Sequence, residues 1–62
     1  MFEKRLLKIT AGKKLYYINI DNINFICIEG MTVFIFYNTG VKTEFECDGE
    51  EEAIAFVEKN FL

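Results

Sequence analysis

The chain has no histidine, no proline, no tryptophan and only two cysteines in 62 residues. Each absence removes a class of function. Without histidine the commonest general base is missing. Structural zinc sites take four Cys or His ligands, which Cys27 and Cys47 cannot supply within one chain. In the antiparallel meander derived below, these cysteines lie two strands apart, about 9–10 Å. A disulfide spans Cα atoms up to roughly 7 Å apart. The expectation is two buried free thiols in a reducing cytoplasm. In apolar strands a thiol's pKa rises and its reactivity falls, which argues against a catalytic nucleophile.

Long apolar runs are also missing. The longest, Val33 to Tyr37, is far short of the ~20 residues of a membrane helix. Met1-Phe2-Glu3-Lys4-Arg5 leads into no apolar stretch of secretory type. A soluble, cytoplasmic chain with no membrane partner is expected. Basic residues are outnumbered: seven Lys and Arg face ten Asp and Glu, for a net charge of −3. Nucleic-acid affinity rests on cations that neutralise phosphates, so a nucleic-acid partner is disfavoured.

Two charged groupings still need an account. Lys4, Arg5, Lys8, Lys13 and Lys14 gather early, close to Tyr16 and Tyr17. Together they form a candidate nucleic-acid patch with stacking aromatics. Solvated strand edges and ordinary strand-forming tyrosines are the plainer account. Glu44, Glu46, Asp48, Glu50, Glu51 and Glu52 form an acidic tract. A Ca²⁺ site would need clustered carboxylates at loop spacing, and that spacing is absent. Asn19, Asp21, Asn22 and Asn24 suit turn and cap duty. Gly12, Gly30 and Gly40 fit hairpin turns and follow no phosphate-cradling pattern. No cofactor, no metal and no enzymatic activity is expected.

What the chain does have is an apolar surplus: 52% of its residues are hydrophobic. It reads as a single small domain over residues 1–62. A domain of this size buries only about 60% of the surface its unfolded chain exposes. A lone core below roughly 70–80 residues seldom supplies more than about 3–5 kcal/mol. With disulfide and metal set aside, oligomerisation is the remaining reinforcement.

The order is strands punctuated by turns, then one helix. Strand one is read at Lys4 to Thr10, with a turn at Ala11-Gly12-Lys13. Strand two runs Lys14 to Ile20. Leu7, Ile9, Tyr16 and Ile18 share one face; Leu6, Leu15 and Tyr17 share the other. Asp21-Asn22 breaks the run. Strand three is Asn24 to Ile28, strand four Met31 to Tyr37, strand five Val41 to Cys47. The tight turn between strands three and four aligns Ile26 and Ile28 with Val33 and Ile35. It also aligns Phe25 and Cys27 with Phe34 and Phe36. A three-residue loop, Asn38-Thr39-Gly40, puts Val41 and Phe45 with Val33 and Ile35. A two-residue loop would flip strand five. Asp48 with Glu51 matches a capping box, and Ala53, Ile54, Val57 and Phe61 form a helical stripe. Phe56 lies outside that stripe, so it either widens the core contact or faces a partner.

The predicted fold is α+β: an antiparallel β-meander of about five strands followed by one C-terminal helix. One helix covers one sheet face. Phe25, Cys27, Phe34 and Phe36 are left on the other, with Phe56 a further candidate contact. Burying three phenylalanines contributes very roughly 5–9 kcal/mol, comparable with the whole stability expected. Left wet, they would form an uncharged, proline-free aggregation-prone segment. A homo-oligomer, or another protein as partner, is therefore expected to cover this face.

From Leu15 onward the chain resembles the FlbD family, very short proteins encoded among bacterial flagellar and motility genes. The resemblance rests on Tyr17-Ile18-Asn19, then Ile23 and Ile26. It continues through Thr39-Gly40, Lys42, and Glu50-Glu51-Glu52 before Ile54. FlbD proteins tend to carry proline after the asparagine, where this chain has Ile20. The resemblance implies a motility-associated role. The same stretch is similar to the C-terminal part of LytTR-type DNA-binding domains, which implies a transcription-regulatory alternative. Richness in Ile, Phe, Asn, Lys and Glu points to an AT-rich bacterial or phage genome.

Overall fold

The computed structural model describes residues 5–11 and 13–62. It contains β1 (Leu6–Ala11), β2 (Lys14–Asn19), a 3-10 turn (Ile20–Asn22), β3 (Ile23–Glu29), β4 (Thr32–Tyr37), β5 (Lys42–Glu46) and α1 (Glu50–Phe61). All strand pairs are antiparallel. The α+β order of strands followed by one C-terminal helix is as expected. The strands divide into two sheets, β1-β2 and β3-β4-β5, rather than forming one continuous meander. The break falls at the polar interval. The Asn19 side chain accepts a hydrogen bond from the Asp21 backbone N–H at 3.1 Å, an Asx-type turn. The Ile20 N–H donates to the Arg5 carbonyl at 2.9 Å. The chain is turned out of register before β3 begins, so β2 and β3 never pair.

Face assignments follow strand alternation. Leu7 pairs with Ile18 and Ile9 with Tyr16. Ile9 and Ile18 are buried, while Leu6, Leu15 and Tyr17 are exposed on the hairpin's other face. In the second sheet Ile26 pairs with Ile35 and Ile28 with Val33, while Phe25 meets Phe36 and Cys27 meets Phe34. Gly30 has φ +61 and opens a two-residue loop with Met31. A positive φ at only the first loop position is the type II′ requirement. Gly40, at φ +91, ends the three-residue loop, with Gly40 N–H bonding the Tyr37 carbonyl at 3.0 Å. That loop sets Val33 opposite Phe45 and Ile35 opposite Thr43, the register favoured from sequence.

One core joins all parts. Ile9 and Ile18 from the hairpin, Val33, Ile35 and Phe45 from the sheet, and Ala53 from α1 are buried together. Tyr16 meets Phe45 edge-on at 4.9 Å, and the Tyr37 hydroxyl bonds the Thr43 hydroxyl at 2.8 Å. Hairpin and helix both contribute to covering the inner face of β3-β4-β5.

Four expectations need correction. Val41 shares the inner face by parity but lies 60% exposed, just ahead of β5 where the cover ends. Ile54 faces solvent, and Phe56 takes its place against the core. At about 100° per residue, Phe56 sits about 60° to one side of Ala53 and Ile54 about 100° to the other. The Phe56 ring meets Phe45 at 5.5 Å, and burying the larger ring removes more apolar area from water. The helix N-cap is Gly49, not Asp48, with no side-chain cap; Ala53 N–H bonds the Gly49 carbonyl at 3.0 Å. Glu50, Glu51 and Glu52 in the first turn and Lys59 in the last still complement the helix dipole. Finally, Cys27 is exposed rather than buried, because its strand face carries no cover.

Candidate interaction surface

The outer face of β3-β4-β5 is built by three rows of cross-strand neighbours. One end row is Phe25, Phe36 and Lys42; the middle row is Cys27, Phe34 and Glu44; the other end row is Glu29, Thr32 and Glu46. The strands place the aromatic residues here by alternation alone. Ile23, at the start of the same strand, needs a second device to face the other way. A bulge lies between Ile23 and Phe25, since Ile23 pairs with Tyr37 and Phe25 with Phe36. The extra residue, Asn24, reverses the parity of the strand. Ile23 therefore packs against the core while Phe25 points outward at 52% exposure.

The rings form a stacked array. Phe25 and Phe36 centroids are 4.4 Å apart with planes 17° from parallel. Phe34 and Phe36 lie 6.4 Å apart at 27°. Phe34 and Phe36 are half-buried by neighbours on their own sheet, so less apolar area is left wet than three free rings would leave. Lys42 Nζ sits 5.3 Å from the Phe34 centroid, a cation–π distance. The face is thus an aromatic centre with Lys42 and Glu44 along its β5 edge and Glu29 and Glu46 in the row beyond. Cys27 lies beside Phe34 on this outer face. Cys47 packs toward the inner core, so the two thiols lie on opposite faces and cannot bridge. Burial, with Asp48 and Glu52 nearby, raises the Cys47 thiol above the ordinary range.

Phe56 belongs to the core contact, touching both Phe45 and, at 6.4 Å, Phe61. Two shallow clefts of 370 and 320 Å³ open on either side of it, one with Lys8 and Lys59, the other with Glu46, Asp48 and Glu52. No cluster of three or more metal-ligating side chains forms among the described residues.

The basic grouping is dispersed. Lys4 lies outside the described residues. Arg5 Nε donates to the Asp21 carboxylate at 3.1 Å and its Nη2 pairs with the same oxygen. That bond raises the guanidinium pKa and lowers the carboxyl's. Lys8 sits opposite Tyr17 on the hairpin, and Lys13 and Lys14 are exposed at its tip. Tyr16 turns inward to Phe45 while Tyr17 turns out, so the two tyrosines do not share a platform. On the hairpin's outer face sequence reasoning named only Tyr17 and Lys8, as part of the basic patch, yet Leu6, Leu15 and Tyr17 are each more than half exposed there. Their shared parity was the available signal.

Comparison with family models, curated proteins and solved structures returns no match. No helix among the described residues is long and apolar enough to cross a membrane.

Proposed function

We propose that this chain is a non-enzymatic interaction module that associates with a second copy through the outer face of β3-β4-β5. The supporting observation is the contiguous stack of Phe25, Phe36 and Phe34 on a face that neither the helix nor the hairpin covers. Neighbouring apolar rings held at solvent mark interaction sites. The FlbD resemblance adds a motility-associated setting to this proposal.

Cys27 supplies an internal probe, because it is exposed within the same face while Cys47 is half-buried with a raised pKa. Alkylation of Cys27 is expected to slow as protein concentration rises, with Cys47 slow throughout. In Phe34→Glu, Cys27 should label fast at every concentration. A Cys27 rate independent of concentration in the parent chain defeats the proposal.

The rival is a nucleic-acid contact at the hairpin, favoured by exposed Lys8 opposite exposed Tyr17 and by exposed Lys13 and Lys14 at the tip. The absence of a gel shift at low salt ends that reading.

A further inference from the structure

Resting on the self-association just proposed, we infer that the second copy docks with its strands reversed, so that Lys42 of each copy meets Glu44 of the other. Lys42 and Glu44 flank the aromatic stack from β5, beside Phe36 and Phe34 respectively. Both are exposed, and neither forms an ion pair among the described residues. Like two halves of a clasp, they have opposite charges one row apart.

A two-fold dimer makes every contact twice through one self-complementary patch. With the two-fold axis lying across the strands, β4 faces β4 and β5 faces β5 in opposite directions. Where that axis falls decides the charges. Centred on the middle row, it meets Lys42 with Glu46 but sets Glu44 against Glu44 and Phe25 over Glu29; centred on the Phe36 row, it sets Lys42 against Lys42. Placed midway between these rows, it sets Lys42 over Glu44 twice, Phe34 over Phe36 twice and Phe25 over Cys27 twice. An axis along the strands instead keeps the rows and puts Glu44 over Cys27, with no cation to meet it. Of these, the midway arrangement alone sets every ring on an apolar residue and leaves no like charges facing. Glu29 and Glu46 then fall beyond the partner's Phe36 row and stay solvated at the rim. The usual face-to-face spacing of about 10 Å, with strands aligned to within about 30°, lies within reach of lysine and glutamate side chains.

Charge exchange tests this directly. Lys42→Glu and Glu44→Lys, each alone, should weaken dimerisation by roughly tenfold or more at low salt, since two attractive contacts become repulsive. An equimolar mixture of the two variants should recover association to within about threefold of the parent, because every crossed pair is again of opposite sign. The double variant, Lys42→Glu with Glu44→Lys, should recover it alone. Sedimentation velocity reads the dimer and circular dichroism confirms the fold. If the parent dimerises but the single variants match it, or the mixture shows no recovery, this pairing is overturned while self-association through the face survives. A parent that stays monomeric overturns both.

Discussion

Phe25→Ala separates association from folding more cleanly than any other change. A phenylalanine side chain carries about 200 Å². Phe25 is 52% exposed, so about half of that, or about 100 Å², is free for a partner. Phe34 and Phe36, half-buried, add roughly another 100 Å² between them. Two copies would then remove roughly 400 Å² from water, contributing about 10 kcal/mol. Association costs about 4–15 kcal/mol. The most favourable balance, near −6 kcal/mol, is a Kd in the tens of micromolar. Truncating Phe25 deletes about 150 Å² across the dimer, about 4 kcal/mol, and weakens Kd roughly a thousandfold. Within one copy the loss is small: the stack on Phe36 at 4.4 Å contributes about 1 kcal/mol, or a fall in Tm of about 4–8 °C. Sedimentation velocity at a few hundred micromolar should show the parent as dimer and Phe25→Ala as a folded monomer. A variant that associates like its parent refutes the reasoning, as does one that unfolds outright.

Other consequences concern the fold. Ile35 is fully buried, so Ile35→Ala should cost about 2–5 kcal/mol, enough to unfold much of a small domain in a denaturant titration. Gly40→Ala meets no steric obstacle, as nothing lies within 4 Å of its Cβ position, yet φ +91 is strained for alanine; about 1–2 kcal/mol should be lost. Cys47 provides a pH signature. Its thiol pKa is raised in the fold, so its stabilising contribution is complete below the unfolded thiol's value. That contribution is lost as pH climbs from there through the folded value, because the unfolded chain releases its proton first. Melting temperature should fall across that window, and Cys47→Ala should flatten the fall.

Much of the sheet was legible because strand alternation has a strict period of two. The partners of Ile26, Ile28, Phe25 and Cys27 follow from one short turn, and Gly40 settles the register of β5 by ending its loop at positive φ. The bulge at Asn24 was not legible: an inserted residue breaks the alternation that reveals strands, and no side chain announces it. Helix rotation was misjudged because Ile54 and Phe56 both border the Ala53–Val57 stripe. Only the position of Phe45 decides which ring or branch turns inward. The Gly49 cap was hidden by Asp48, a stronger local signal one residue earlier. The split into two sheets falls at the polar turn that Asp21-Asn22 announce, but that β2 and β3 stay unpaired across it is not written in those residues. The outer aromatic face was legible as a set of residues, whereas its bounding charges emerge only once β5 is paired to β4.

Light scattering of the unmodified chain across a wide concentration range addresses the central claim most directly. Mass should climb from the 7.3 kDa of one copy toward double that value, with a midpoint near tens of micromolar or above. A particle that keeps the mass of one copy up to millimolar concentration contradicts it.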